Sequence, residues 1–489
     1  MKPTLLVAFE ALRILLRVVL LALAHHLARA SYRVVKAGWP TAASLPPATE
    51  DLPVVTVQLP IRNEYYVAER VVRATCGMDY PPSRLEIQVL DDSDDGTRPL
   101  LERLVGELSA KGLPIRLLTR DRPDGYKAGA LNAGLAVARG ELVAMFDADC
   151  VPPPDFLRWV VPEFADPTVG LVQVRWSFLN GDRSVLTRLQ TLILDGLFAV
   201  DQHARSSSGM PFQFNGTSGV WRRRCLDETG PWRGEILAED ADMALRAYLG
   251  GWKLLHRPER AVPTEVPEDM AAFRSQQRRW ARGTAQLLRS LFPRILRSGA
   301  PARARLLMLL HLGRHVIDPL LCALLVTTPF TTLYGMPTLF DYGVPANVAT
   351  VGVVLAAIIV YYGLAVRRVG GNATRVLYAP LVVPLALGLA PLYTVSLIQG
   401  LLFSGGEFVR TPKHGSGPSA TGPIYRSRLD PFSLVEVVLG LAHAFFALSA
   451  FMRGYVVYAS FFATAALGLL WVGVGSLQAT VGLDRRTEQ

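Results

Sequence analysis

The sequence predicts an α/β domain built on parallel strands, joined to a helical domain that lies in a membrane. Three observations predict it. Residues 50–300 read as a mixed globular domain, whereas 305–480 carry long runs of Leu, Val, Ala and Gly. Short, nearly continuous apolar strands alternate with helical patterns in the first half, as in a sheet covered on both faces. Acidic residues follow two of those strands at once, where ligands bind in open α/β sheets. A length of 489 residues leaves room for two or three domains, and a mean hydropathy of +0.27 is high for a purely soluble chain.

Taken in order, residues 3–24 (PTLLVAFEALRILLRVVLLALA) form an apolar helix followed by the positive stretch RASYRVVK instead of a small-residue cleavage site. A crossing with its N-terminus outside is expected; Glu10, Arg13 and Arg17 leave an interfacial amphipathic helix as the alternative. PVVTVQLPIRNE predicts a strand from Val54 to Leu59, a loop with Asn63 and Glu64, and a helix from Tyr65 to about Thr75. LEIQVLDDSDDGT repeats the design: a strand from Leu85 to Leu90, then Asp91, Asp92 and a Gly turn. PIRLLTR is a third strand. ELVAMFDADC is a fourth, stopping on Asp147 and Asp149 before three prolines. Candidate spans are 307–330, 344–365, 433–453 and 456–477, each near the ~20 residues a crossing needs. RRVGGNATR and DRRTEQ place two of their ends in the cytoplasm. Residues 376–403, interrupted by Pro380, Pro384 and Pro391, read as a kinked span, a hairpin or a re-entrant piece. They should cross an even number of times or not at all if 404–425 is cytoplasmic.

The net charge of +10 does not bring in nucleic acid, because no basic arm or nucleic-acid motif is present and the Lys/Arg clusters flank apolar segments. Cys76, Cys150, Cys225 and Cys322 show no CxxC pairing and read as reduced thiols, not a disulfide frame or a zinc site. Asp147 and Asp149 ask for more. Two carboxylates crowded at the end of a buried strand repel one another and lose solvation unless a cation joins them; a solvated acidic turn is the plain alternative. Oxygen ligands favour Mg2+ or Mn2+, and Mg2+ commonly takes one or two carboxylates plus substrate phosphates. The missing ligand is then a diphosphate.

VLDDSDDGT, GYKAGALN, FDADC, AEDAD and QQRRW, in this order and spacing, resemble the membrane-embedded processive glycosyltransferases of family 2: cellulose, hyaluronan and chitin synthases and the plant cellulose-synthase-like mannan and glucan synthases. VQVRWSFLN, LTRLQ, FNGTSGVWR and SQQRRW carry the likeness to the plant synthases. It covers residues 54–290 densely and 404–414 locally. The resemblance implies a cytoplasmic GT-A type, Rossmann-like domain and assigns roles. Pro60, Glu64, Asp91, Asp92, Lys127, Asp147 and Arg279 would hold the nucleotide sugar, and Asp147 and Asp149 the divalent ion. Asp240 would be the catalytic base, in a motif where Ala238 stands in place of threonine. Phe214, Asn215, Gly216, Gln276 and Trp280 would meet the acceptor, and Phe408, Thr411 and Lys413 would belong to a gating loop in which Arg410 replaces valine.

Physical chemistry agrees with several of these roles. A carboxylate opening a helix is kept ionised by the dipole and can take a proton, although helix capping by Glu239 and Asp240 is the simpler reading. Gln276, Arg279 and Trp280 stand at i, i+3 and i+4, on one helical face; a basic interfacial helix would look similar. Trp176, Trp221 and Trp252 are candidates for sugar stacking or for core.

The expected organisation is an N-terminal transmembrane or interfacial helix (1–40), the catalytic domain (50–290), interface and transmembrane helices (291–403), the gating loop (404–430) and a final helix pair (431–489). The expected activity is inverting, metal-dependent polymerisation of a β-linked glucan or mannan from UDP-glucose or GDP-mannose in the inner (plasma) membrane, the growing glycan passing across the bilayer. A glycolipid-forming transferase, a non-catalytic sugar-nucleotide-binding protein and a nucleotidyltransferase are the alternatives. No nucleic acid is expected as partner, and regulation by a cyclic-nucleotide sensor would need a partner subunit.

Overall fold

A computed structural model describes residues 3–38, 52–333, 344–406 and 430–485 of the chain. One seven-stranded sheet organises the region between the first helix and the later ones: β1 (Val55–Ile61), β2 (Leu85–Asp91), β3 (Ile115–Thr119), β4 (Leu142–Met145), β5 (Val169–Phe178), β6 (Gly219–Arg222) and β7 (Lys253–Thr264), in the order β3-β2-β1-β4-β6-β5-β7. The four strands predicted from sequence are its parallel half, with β1 between β2 and β4 and β3 outside β2. The expectation of a parallel sheet stops there. β6 runs antiparallel to both β4 and β5, so the sheet is mixed. Its four residues are too few for a periodic signal, and its direction is set by pairing to distant strands (Leu142 opposite Arg222, Leu171 opposite Trp221). The helix expected from Tyr65 begins at Ala68, after a turn.

Both faces of β1 are buried, and they differ in chemistry. Val55, Val57, Leu59 and Ile61 join a core with Phe146 and Phe156, each such side chain contributing about 1.5–3 kcal/mol by leaving water. The alternate positions are polar and in register: Thr56 faces Glu86 and Gln58 faces Gln88 on β2. Thr56 donates to Glu86 at 2.6 Å and Gln58 to Gln88 at 3.1 Å, pairing buried polar groups across the two strands. The parallel register brings the C-terminal ends of β1, β2 and β4 to one edge of the sheet. The acidic pairs stand there.

Among the described residues, five helices are long and apolar enough to cross a membrane: Arg17–Ala37, Val348–Val369, Ala373–Leu402, Phe432–Met452 and Val456–Ala479. This is a membrane protein by the length and composition of its helices. The first helix runs from Pro3 to Ala37 and contains the apolar stretch expected at residues 3–24. The span expected at 307–330 is a bent pair of helices. Gly313 ends one helix (Ala302–Leu312), a short turn Arg314–Ile317 follows, and the pair is bent by 53°. Polar side chains explain the break: Arg314 donates to Thr284 at 3.1 Å, and His315 meets Asp318 at 2.9 Å.

Residues 373–402 form one rod, a 3-10 turn (Ala373–Leu381) leading into a helix (Val382–Leu402). Arg375 pairs with Asp182 at 2.7 Å, and Arg188 donates to Tyr378 at 2.8 Å, at its start. Gly405 donates to the Glu235 carbonyl at 2.9 Å just past its end. The rod therefore returns to the domain from which it set out.

Between the two regions lies the helix Met270–Arg297, capped by Asp269, which accepts from the Ala272 N–H at 2.8 Å. Its Arg274 is buried and gripped by Ser433 at 2.6 Å, Glu436 at 2.8 Å and Asp430 at 2.9 Å.

Candidate active site

A cavity of about 1110 Å³ opens at the C-terminal strand edge and continues between the helices. Pro60, Glu64 and Asp92 line its first part. Asp91, expected beside them, lies behind the wall instead. It is fully buried, accepting from the Ser93 N–H and from Arg98, each at 3.0 Å. Neighbours in an extended chain point to opposite sides, so only one of this pair can face the cavity. Asp92 is clasped by two nitrogens of Arg120, one of them at 3.0 Å. Arg120 also donates to the carbonyls of Asp124 at 2.8 Å and Tyr126 at 3.2 Å, tying the strand end to the turn before Lys127. Nothing in the sequence singles out this arginine.

Asp147 and Asp149 both line the cavity, the first with 37% of its side chain exposed, the second with the residue only 7% exposed. The Lys127 ammonium lies 2.5 Å from an oxygen of Asp147 and donates to the Gly216 carbonyl at 2.9 Å. Burial alone would lower the lysine's pKa, but the carboxylates of Asp147, Glu239 and Asp240 outweigh burial and raise it. A positive charge thus already sits on the Asp-x-Asp motif, and the donor set fits a hard dication. Among the described residues no group of three or more His, Cys, Asp or Glu could hold an ion. Two carboxylates leave most coordination positions of Mg2+ or Mn2+ to substrate oxygens and water.

Glu239 and Asp240 open the helix Glu239–Leu249, and both line the cavity. Asp240 Oδ1 accepts the Ala241 N–H at 2.7 Å. Burial pushes both carboxyls above the ordinary range, and the positive charges of Lys127 and Arg279 pull them back. Gly216, in the left-handed region at φ +78°, closes this cluster. A Cβ there would stand 2.9 Å from Asp240 Oδ2 and 3.2 Å from Lys127 Nζ. The neighbouring Asn215 is held by two buried amides: its oxygen accepts from Gln202 at 2.7 Å and Gln173 at 3.0 Å, and its N–H donates to Gln173 at 2.8 Å. Gln202 ends a π-helical stretch, Leu197–Gln202, a rare geometry that recurs at functional sites. Sequence reasoning missed both glutamines, because they meet Asn215 only through the fold. Phe214 is a second correction: it is 1% exposed and packs edge-on against Trp221 at 5.5 Å, in the core.

Gln276, Arg279 and Trp280 do line the cavity from one helix. Trp280 packs against a cluster that includes Leu194, Phe198 and Trp176. Trp176 also lines the cavity, whereas Trp221 is core and Trp252 lies under Arg224. Past Trp280 the walls are Arg314, His315, Leu385, Leu389 and Tyr393, whose hydroxyl donates to Gln277 at 2.8 Å. The gating residues Phe408, Thr411 and Lys413 lie outside the described residues.

Comparison with known proteins places this geometry. Residues 142–367 match the family model described as glycosyl transferase family group 2, and residues 56–223 that of glycosyl transferase family 2. The chain is 44% identical over 255 residues to glucomannan 4-beta-mannosyltransferase 2 of Arabidopsis thaliana, a stretch covering 51% of this chain and 48% of that protein. It is 42% identical over 255 residues to glucomannan 4-beta-mannosyltransferase 1 of Oryza sativa subsp. japonica, covering 51% and 49%. The matched stretch spans about half the length of these curated relatives. A solved mannosyltransferase from Pyrobaculum calidifontis, in complex with GDP-Man and Mn2+, superposes with a TM-score of 0.55 at 23% identity, covering 76% of this chain and 98% of that one. At that identity the likeness is one of fold.

Proposed function

We propose that this chain, which matches family 2 glycosyltransferase models over residues 56–223 and 142–367, is an inverting transferase that builds a β-1,4-linked mannan or glucan at a membrane. The single observation that carries the reading is the meeting of Asp240, Lys127 and Gly216 in one cavity that leads past Trp280 to the apolar helices. The kinship with the two glucomannan 4-beta-mannosyltransferases favours GDP-mannose over UDP-glucose as donor.

Asp240 takes the proton from the acceptor hydroxyl, whose oxygen then attacks the donor's anomeric carbon from the face opposite the leaving group. Lys127 and Arg279 offset the charge that develops on the departing diphosphate. Asp147 and Asp149 would hold Mg2+ or Mn2+, which would neutralise part of that charge. Trp280 offers an apolar face to the acceptor sugar and Gln276 bonds its hydroxyls, holding the nucleophile in line. The extended glycan moves on between the walls made by Leu385, Leu389 and Tyr393. The catalytic domain faces the cytoplasm of a plasma membrane, where Arg367, Arg368 and Arg375 also gather.

Membranes carrying the full chain, incubated with radiolabelled GDP-mannose or UDP-glucose, should yield a ladder of long glycans cut by a β-1,4-specific mannanase or glucanase. A single labelled glycolipid would overturn polymerisation, and release of pyrophosphate would overturn glycosyl transfer itself. Asp149→Ala should abolish the ion-dependent part of donor binding, read by titration calorimetry with and without Mg2+. Asp149 also accepts the Glu265 N–H at 3.4 Å, so Asp147→Asn serves as the second variant and should behave alike.

A further inference from the structure

Among the described residues, three non-glycine residues have positive φ: Asn63 at 55°, Tyr126 at 52° and Ser218 at 60°. Asn63 and Tyr126 line the cavity, and Ser218 follows Thr217, which does too. Asparagine and serine are small. Tyrosine is bulky, and for such a side chain this region is a genuine outlier. Conformations of this kind cost of order 1–3 kcal/mol and persist only where the surroundings over-determine them.

The surroundings do so here. Gly125, itself at φ +73°, precedes Tyr126, and Gly234 and Gly129 press against the turn. A Cβ on Gly234 would lie 2.6 Å from the Gly125 Cα, and one on Gly129 would overlap the Asp124 carbonyl. Arg120 holds the carbonyls on both sides of Gly125, those of Asp124 and Tyr126, while clasping Asp92. The turn is therefore fixed by glycines and a guanidinium acting on the backbone. Burial of the Tyr126 side chain is not what fixes it, since the residue is 36% exposed. Tyr126 brings an aromatic side chain to the cavity lining, and its carbonyl is held by the arginine that clasps Asp92.

We propose that Tyr126 stacks on the nucleobase of the bound nucleoside diphosphate. The proposal rests on the reading of the site as one for a nucleotide sugar and adds the contact that grips the base. Stacking of a base on an aromatic ring suits purines and pyrimidines alike. The competing explanation is that the backbone strain serves only to aim Lys127, the ring being incidental.

Two variants separate these explanations in the full-length protein. Tyr126→Phe keeps the ring. Tyr126→Asn removes it but retains a residue that tolerates the left-handed region, so the Lys127 turn is preserved. Calorimetric titration with GDP, UDP and inorganic pyrophosphate is the measurement. The expected result is that Tyr126→Asn weakens GDP and UDP about tenfold and leaves pyrophosphate unchanged, while Tyr126→Phe binds all three as the parent does. Equal affinity of parent and Tyr126→Asn for GDP and UDP would overturn the stacking role and leave the nucleotide-sugar reading intact. Equal weakening of pyrophosphate would also overturn it, because the loss would then lie in the phosphate site. Failure of the parent chain to bind either nucleotide would overturn both.

Discussion

Asp240→Asn should lower turnover by about 10³-fold, within the range that general bases contribute, while GDP and donor binding stay largely intact. Asparagine preserves the shape and can still accept the Ala241 N–H that Asp240 now takes at 2.7 Å. What it cannot do is accept a proton. The same carboxyl sets a pH dependence. Burial raises its pKa above the ordinary carboxylate range, and a base acts only when ionised. The rate should therefore rise with pH along an acid limb that lies above that range, and kcat against pH with saturating donor reads it. Undiminished glycan synthesis by the asparagine variant would move the base elsewhere, with Glu239 the next residue to test.

Gly216→Ala should cost about 10²-fold in turnover although it removes no functional group. The added methyl would sit 2.9 Å from Asp240 Oδ2, which must shift to admit it, and 3.2 Å from Lys127 Nζ, a tight contact. Alanine also resists the left-handed backbone at φ +78°. Something must shift, and displacement of a reacting group by about 1 Å is enough for a loss of that size. Gly209 is the control: it too has positive φ, at 64°, but nothing lies within 4 Å of a Cβ there. Gly209→Ala should lose stability without the kinetic penalty. Equal turnover by the two variants would show that backbone strain, not crowding of Asp240, governs position 216.

The first, second and fourth strands were legible as buried apolar runs ended by a turn or an acid; the third, Ile115–Thr119, is only partly buried and showed as a short run of Ile and Leu. The last three were not legible. β5 (Val169–Phe178) carries glutamine and arginine within its length, and β7 (Lys253–Thr264) histidine, arginine and proline; those interruptions hide a strand whose pairing is tertiary. At the site, motifs marked the right stretches of chain but not which side chain turns inward. Asp92 faces the cavity and Asp91 does not; Asn215 faces it and Phe214 does not. Arg120, Gln202, Arg314 and Tyr393 stood outside every motif, each brought in from a distant element, and Gln173 stood inside VQVRWSFLN with no role assigned to it. Residues 307–330 read as a span because their composition is apolar; Gly313, Arg314 held by Thr284, and the local pair His315–Asp318 bend it.

Arg274 shares a helix with Gln276, Arg279 and Trp280, and its side chain is 3% exposed, its guanidinium met by Asp430, Ser433 and Glu436. Severing the last two helices would strand that cation without counter-charges, a loss of about 3–5 kcal/mol for a broken buried pair. The catalytic half is thus no detachable module, and a water-soluble excision of it would first need Arg274 recast as an apolar residue.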